Sequence, residues 1–264
     1  LAVDHRQGEA RALQQAADSL KTFPRLVLTS MGSAYYSLMP MHYVLARKHP
    51  CVHLMDTADL LRTQSFERTA TIIMSRSGES GEISQYAEEL QAQGSYTLAI
   101  TMTPESSLAK HATQVLYNPS PFDGFICTKA YTSLALTGLL LVSQWYGELT
   151  PQLVNNLAQA FAWLEENKEK LLAQVEALPW LGNSLTFLSQ GAGMGLAMSG
   201  SLWAAEGARL RTDFSSVEQF RHGPVEQVDE QFYGVWIELE PNPFGRDYVK
   251  FMQQKGGTFC TIST

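Results

Sequence analysis

Short, wholly apolar runs alternate along this chain with longer stretches whose apolar residues recur every three or four positions. Leu26-Val27-Leu28-Thr29, Val52–Met55, Thr71–Met74, Thr97–Thr101 and Val115–Tyr117 are runs of the first kind. Their length and their β-branched content predict strands buried on both faces. Between them, helical spacing covers Gln7–Thr22, the stretch from Ala34 to Lys48, Glu82–Gln93 (closed by Gly94) and Thr128–Gly147. Pro151–Glu176 then predicts one more long amphipathic helix, bearing a run of Glu and Lys. After Pro179, Gly182 and Asn183, which punctuate the chain, the opening pattern recurs. Ser184–Ser189 predicts a strand, Gly191–Gly195 a glycine turn and Leu196–Leu210 a helix. A strand at Tyr233–Leu239, a helix near Asp247–Gln254 and a strand at Thr258–Ile262 follow.

Strands alternating with helices in this rhythm predict an α/β fold with parallel sheets and right-handed crossovers, helices lying on both faces. Ser30-Met31-Gly32-Ser33 and Ser189-Gln190-Gly191-Ala192 occupy matching places, so an internal duplication is expected. The expected division is a helical segment at 1–23, a first lobe at 24–150, a connecting helix at 151–183 and a second lobe at 184–264. The second lobe has fewer elements than the first, and the sequence opens on Leu1. The natural chain is therefore expected to extend beyond both ends.

Composition narrows the function. Hydrophobic residues make up 45% of the 264 and charged residues 17%, enough for a packed core. A net charge of -7 disfavours a general nucleic-acid surface, so an anionic ligand would need a local site. Cys51, Cys127 and Cys260 are too few and too scattered for a disulfide framework, and fit a reducing compartment. No basic-then-apolar leader opens the sequence, and the greasiest stretch, Leu134–Val142, is too short to cross a bilayer. A cytoplasmic protein with no membrane partner is expected.

In open parallel sheets ligands bind beyond the carboxyl ends of the strands. The sharpest signal lies at such an end: Ser75-Arg76-Ser77-Gly78-Glu79-Ser80. Backbone N–H groups at a helix start, with three hydroxyls and a flexible glycine, make a nest for a phosphate. The plainer alternative is that Ser80 only caps the helix. Gly32-Ser33-Ala34 is a second such turn, either structural or close to a ligand. His222, within Gln219–Pro224, titrates near neutrality and could move protons. Glu206 lies among Ala, Leu and Gly. There it is either a partly desolvated base with a raised pKa or an ordinary helix-surface carboxylate. His49, Cys51 and His53 alternate like metal ligands, yet no second cluster supports them, so neither a metal nor another cofactor is expected.

Three segments carry a family resemblance. Ser75-Arg76-Ser77-Gly78-Glu79-Ser80 resembles the Ser-x-Ser-Gly-x-Ser/Thr phosphate loop of the sugar isomerase (SIS) domain family. Cys127-Thr128-Lys129-Ala130-Tyr131-Thr132 resembles its Ser-Thr-Lys-Ala-Phe/Tyr-Thr helix start, and Phe220-Arg221-His222-Gly223-Pro224 its His-Gly-Pro segment. The similarity is to the tandem-domain branch. That branch includes the isomerase half of glutamine–fructose-6-phosphate aminotransferase, fructosamine-6-phosphate deglycases and amino-sugar-phosphate deaminases.

The resemblance implies two flavodoxin-like α-β-α lobes acting on a sugar phosphate. Ser75, Arg76 (chiefly through its backbone), Ser77, Gly78 and Ser80 would hold the phosphate, with Cys127 and Thr128 beside them. Gly32 and Ser33 would lie close to the sugar. Glu206 would shuttle a proton between the first two sugar carbons. His222 would assist ring opening from the neighbouring subunit of a homodimer or larger oligomer. Trp203 stands where the synthase has a lysine, Cys127 where the family has serine, and Ala34 where it has a hydroxyl. Trp203 thus implies a bulkier or less polar pocket. With no glutaminase segment in the sequence, glutamine-dependent amine transfer is not expected. Two rivals remain: a non-catalytic sugar-phosphate-binding regulator, and a nucleotide-binding enzyme. The second lacks both a P-loop and a complete G-x-G-x-x-G at Gly191–Gly195.

Overall fold

The computed structural model describes residues 2–63, 68–177 and 184–263. The punctuating residues Pro179, Gly182 and Asn183 lie outside them. In chain order the first half comprises α1 (Ala2–Leu20), β1 (Arg25–Ser30), α2 (Gly32–Ser37), α3 (Met39–Lys48), β2 (Val52–Asp56), α4 (Thr57–Leu60) and β3 (Thr69–Ser75). It continues through α5 (Gly81–Ala92), β4 (Tyr96–Thr101), α6 (Ser107–His111), β5 (Gln114–Tyr117), α7 (Thr128–Trp145) and α8 (Pro151–Glu176). The second half holds β6 (Ser184–Ser189), α9 (Met194–Ala208), β7 (Arg211–Ser216), α10 (Val217–Phe220), β8 (Tyr233–Glu238), α11 (Pro243–Gln254) and β9 (Thr258–Ser263). Single 3-10 turns sit at Gly191–Gly193 and Pro224–Gln227.

All pairings are parallel. The first sheet has the order β2-β1-β3-β4-β5, and the second, β7-β6-β8-β9, repeats it through four strands. In this order the chain leaves β1 in one direction and β3 in the other. A crevice opens between the carboxyl ends of those two strands.

The first sheet is covered on both faces, which is why its strands read as unbroken apolar runs. Leu26, Leu28, Ile72, Met74, Leu98 and Ile100 point to one side, against α1, α3 and α7. Val27, Ile73 and Ala99 point to the other, against Ile83, Ala87 and Leu90 of α5. In the second sheet Leu188 and Trp236 pack with α10 and α11, while Phe187, Val235 and Ile237 meet α9.

Helix α9 joins the two halves. Its outer side lies on α2 and α3, with Trp203 against Tyr131 of α7, so it is packed from two directions and small residues crowd both sides. A Cβ on Gly195 would stand 2.6 Å from the Tyr36 carbonyl oxygen and 2.9 Å from the Tyr131 hydroxyl. One on Gly200 would stand 2.7 Å from the Phe187 ring.

Three expectations needed correction. The stretch from Ala34 to Lys48 is two helices, interrupted at Leu38 with Pro40 in the first turn of α3. Helix α11 begins at Pro243, capped by the Asn242 side chain, not near Asp247. Strand β7 was not anticipated: it is an edge strand with no buried residue, polar but for Phe214, with no apolar run to betray it.

Candidate functional site

Strand β3 delivers Ser75 to the centre of the first sheet, paired with Thr101 of β4. The loop that follows is tied down atom by atom. The Ser75 hydroxyl accepts from the Gly78 N–H at 3.0 Å, and that of Ser77 from the Glu79 N–H at 3.3 Å. The Arg76 carbonyl accepts from the Thr103 hydroxyl at 3.1 Å and the Met102 N–H at 3.3 Å. From α6, the Leu108 N–H donates to the Gly78 carbonyl at 3.0 Å, and the Ser107 N–H to Glu79 Oε1 at 2.8 Å. Gly78 has φ +66, and a Cβ there would fall 2.2 Å from the Ser106 hydroxyl. Only glycine fits that turn.

Ser80 is the N-cap residue of α5 but makes no side-chain capping bond. The plainer role considered for it is therefore not the one it plays, and its hydroxyl stands at the positive end of a twelve-residue helix. Across the crevice, Gly32 (φ +58) turns the chain from β1 into α2. The Ser33 hydroxyl is buried with no hydrogen-bond partner.

Ser33, Ser75, Arg76, Ser77 and Ser80 line one cavity of about 160 Å3. Its far wall is a single face of α7, with Cys127, Ala130, Tyr131 and Leu134 at helical spacing. Asp123 caps this helix from the preceding loop, accepting from the Ala130 N–H at 2.7 Å and the Lys129 N–H at 3.1 Å. The Arg76 guanidinium lies over the Phe122 ring, 5.5 Å from its centroid. Burial pushes the Cys127 thiol up; the Arg76 charge partly offsets this, and Asp123 and Glu206 reinforce it. Burial likewise pushes the Tyr131 hydroxyl up.

The remaining candidates divide. Glu206 lies within electrostatic reach of Cys127, one residue from Gly207, whose Cβ would stand 2.6 Å from Ile126 Cδ1. Its side chain is exposed on α9. His222 is exposed in the second half, where its Nε2 accepts from Arg221 Nε at 3.2 Å; it is not in the cavity wall. Thr128 is absent from the wall too. Trp203 stands behind Tyr131 in a T-shaped contact at 5.4 Å, and shapes the cavity only through that ring. Tyr131 itself was missed as a site residue, although its spacing from Cys127 places both on one helix face.

The histidine–cysteine alternation is spent locally. His49 Nδ1 accepts from the Cys51 N–H at 3.2 Å, and Cys51 Sγ lies 3.3 Å from His53 Nε2. Among the described residues no three His, Cys, Asp or Glu side chains form a metal-binding group, and no helix is long and apolar enough to cross a membrane.

Known proteins share this architecture. The C-terminal domain of glucosamine-fructose-6-phosphate aminotransferase from Francisella tularensis superposes with a TM-score of 0.78 at 16% identity, over 97% of this chain and 81% of that one. Glucosamine-6-phosphate deaminase from Thermotoga maritima superposes at 0.81 and 17% identity, over 98% of this chain and 84% of that one. At these identities the likeness shows the fold. In sequence, glutamine–fructose-6-phosphate aminotransferase of Clostridium perfringens is 25% identical over 224 residues, 80% of this chain but 37% of that protein. The chain thus spans under two fifths of that relative's length. The profile described as "SIS domain" matches residues 8–143, from α1 through most of α7, just over half of the chain and the whole of the first sheet with its serine loop. The chain belongs to the SIS domain family.

Proposed function

We propose that this chain is a phosphosugar isomerase-type enzyme acting on an amino-linked sugar 6-phosphate, as an isomerase, deglycase or deaminase. In this reading the second sheet is a further SIS-type lobe, so that residues 24–150 and 184–264 are the paired domains. The observation that carries it is the convergence on one cavity of the Ser75, Ser77 and Ser80 hydroxyls, the α5 N-terminus and the unpartnered Ser33 hydroxyl. Each can donate a hydrogen bond into the cavity, and a phosphate supplies the acceptors.

The phosphate would anchor the substrate, and its binding energy would orient the reacting end. Glu206 is the general acid/base, moving a proton between the first two sugar carbons. Its exposure in a single chain leaves it open to the sugar, and the distance of His222 from the cavity fits a role in a second copy's site. Cys127, Gly32 and the backbone of Arg76 complete the sugar and phosphate contacts. Trp203, against Tyr131, stands where the resemblance to the synthase's isomerase half implies a lysine.

A non-catalytic sugar-phosphate-binding protein is the second reading, favoured by the absence of His222 and Thr128 from the cavity wall. A thermal-shift screen of sugar phosphates and their dephosphorylated forms tests the anchor, since a ligand of the native state raises its stability. Stabilisation by an aminosugar 6-phosphate or fructosamine 6-phosphate, and not by the free sugar, is expected. No shift with any phosphosugar at millimolar concentration sinks both readings. Turnover of the hit, lost in Glu206→Gln while binding persists, separates enzyme from binder.

A further inference from the structure

The segment from Phe220 to Val225 is held at both ends and open in the middle. Phe220 and Val225 are buried in the core of the second half, while Arg221, His222 and Gly223 between them are exposed. The His222 N–H donates to the Gln219 carbonyl at 2.9 Å, and the Gly223 carbonyl accepts from the Glu226 N–H at 3.0 Å. The backbone that carries His222 is therefore fixed, and what remains to be set is its ring.

Arg221 sets it. Its Nε donates to His222 Nε2 at 3.2 Å. A ring nitrogen that accepts a hydrogen bond carries no proton, so the neutral imidazole holds its proton on Nδ1. An unconstrained histidine favours the opposite, Nε2–H form, so this bond selects against the ring's own preference. Nδ1 has no partner among the described residues and is left open to a ligand.

Arg221 is itself seated. Its guanidinium lies over the Phe244 ring, 5.3 Å from the centroid. Phe244 stacks on Tyr248 and Tyr248 on Phe251, each pair with centroids 5.7 Å apart. The three rings recur at helical spacing, so they form one stripe along α11, and Val249 and Met252 anchor that helix in the core. Among the described residues no carboxylate pairs with Arg221; Glu226, which with Arg221 lies within electrostatic reach of Tyr248, is paired with Lys255 at 3.6 Å. A planar guanidinium can lay its face on an aromatic ring while its in-plane N–H groups bond elsewhere, a division of work that a lysine ammonium cannot make.

We propose that Arg221 is a positioning residue, which holds His222 in its Nδ1–H tautomer and so turns a hydrogen-bond donor, not an acceptor, toward a ligand. The tautomer stands on this geometry alone. Its use rests on the sugar-phosphate reading: a donor at Nδ1 suits the ring oxygen of a sugar, which accepts hydrogen bonds and cannot donate them.

Histidine 15N spectra of the whole chain at about pH 8.5, where an unperturbed imidazole is neutral, read the tautomer directly, and His222→Gln identifies the signal. Nε2 should be the unprotonated nitrogen and Nδ1 the protonated one. Arg221→Met, which keeps a stem on Phe244 but has no donor, should move the proton to Nε2. Arg221→Lys should not restore the parent form, and Phe244→Leu should shift the balance part of the way. Circular dichroism confirms that each variant folds. A parent chain with its proton on Nε2 overturns the proposal, as does an Arg221→Met chain with the parent's tautomer. Full restoration by lysine also overturns it, because charge alone would then suffice. On a phosphosugar that the chain turns over, Arg221→Met should lower kcat about tenfold and leave KM nearly unchanged; an unchanged kcat refutes the positioning role. If no phosphosugar is turned over, the enzyme reading falls, while the tautomer is still decided by the spectra.

Discussion

Gly78→Ala isolates the geometry on which the candidate site rests. An alanine at φ +66 costs ~1–2 kcal/mol relative to glycine, because its Cβ crowds the carbonyl in the left-handed region. The new methyl would also stand 2.2 Å from Ser106 Oγ and 2.5 Å from Ser106 Cβ. Ser106 is fully buried and caps α6 through the Ala109 N–H, so it cannot swing away without giving up that bond. Overpacking of this kind adds ~1–3 kcal/mol, for a total of about 2–5 kcal/mol. The clash term can be removed. Ser106→Gly deletes both offending atoms and, at an N-cap, costs only about a few tenths of a kcal/mol. Urea unfolding of the four chains (parent, each single variant and the double) should show the Gly78→Ala cost falling to ~1–2 kcal/mol in the Ser106→Gly background, a coupling only neighbours in contact display. Equal costs in both backgrounds would refute the reasoning, because the loop would then not be braced against α6. A cost below about 0.5 kcal/mol in the parent would refute the left-handed turn itself.

Ser80→Ala should leave stability within about 0.5 kcal/mol of the parent, since no capping bond is lost; phosphosugar affinity, measured by calorimetry, should fall about tenfold to a hundredfold, the worth of a hydrogen bond to a charged group. Gly195→Ala should destabilise the packing of α9 on α2 by ~1–3 kcal/mol in thermal unfolding, because the added carbon has the Tyr36 backbone, not a flexible side-chain tip, in its way at 2.6 Å. The Glu238 carboxylate accepts from the Asn242 N–H at 2.7 Å and from Arg246 Nε at 2.8 Å, and these bonds, the backbone one foremost, hold it below the usual carboxylate range. A depressed pKa stabilises the fold above the unfolded value and loses its effect as the pH falls through the folded one. Glu238→Gln should therefore lower stability by ~1–2 kcal/mol at pH 7 and by progressively less below about pH 4, and a deficit independent of pH would contradict this account.

The sequence by itself determined most of the strands and singled out the serine loop, for local reasons. A strand buried on both faces must be apolar throughout, so Leu26–Thr29, Thr71–Met74 and Thr97–Thr101 declared themselves. A serine- and glycine-rich turn between such a strand and a helix start singled out Ser75–Ser80 as the candidate anion site without reference to the rest of the chain. Strand β7 stayed hidden because an edge strand with polar surroundings needs no apolar run. The joining role of α9 stayed hidden as well: a helix packed from two sides loses its amphipathic stripe, and the small residues that replace it do not say which neighbours they admit.

Tertiary structure alone decided which candidates share a cavity. It brought Ser33 of α2, the serine loop after β3 and one face of α7 together across more than ninety residues of chain. It set Glu206 exposed near Cys127, kept His222 and Thr128 off the wall, and put Tyr131 on it with Trp203 behind. A residue's type and spacing depend on its immediate neighbours, but convergence on one point depends on strand order and on which helix faces meet. Those follow from packing between segments far apart in the chain.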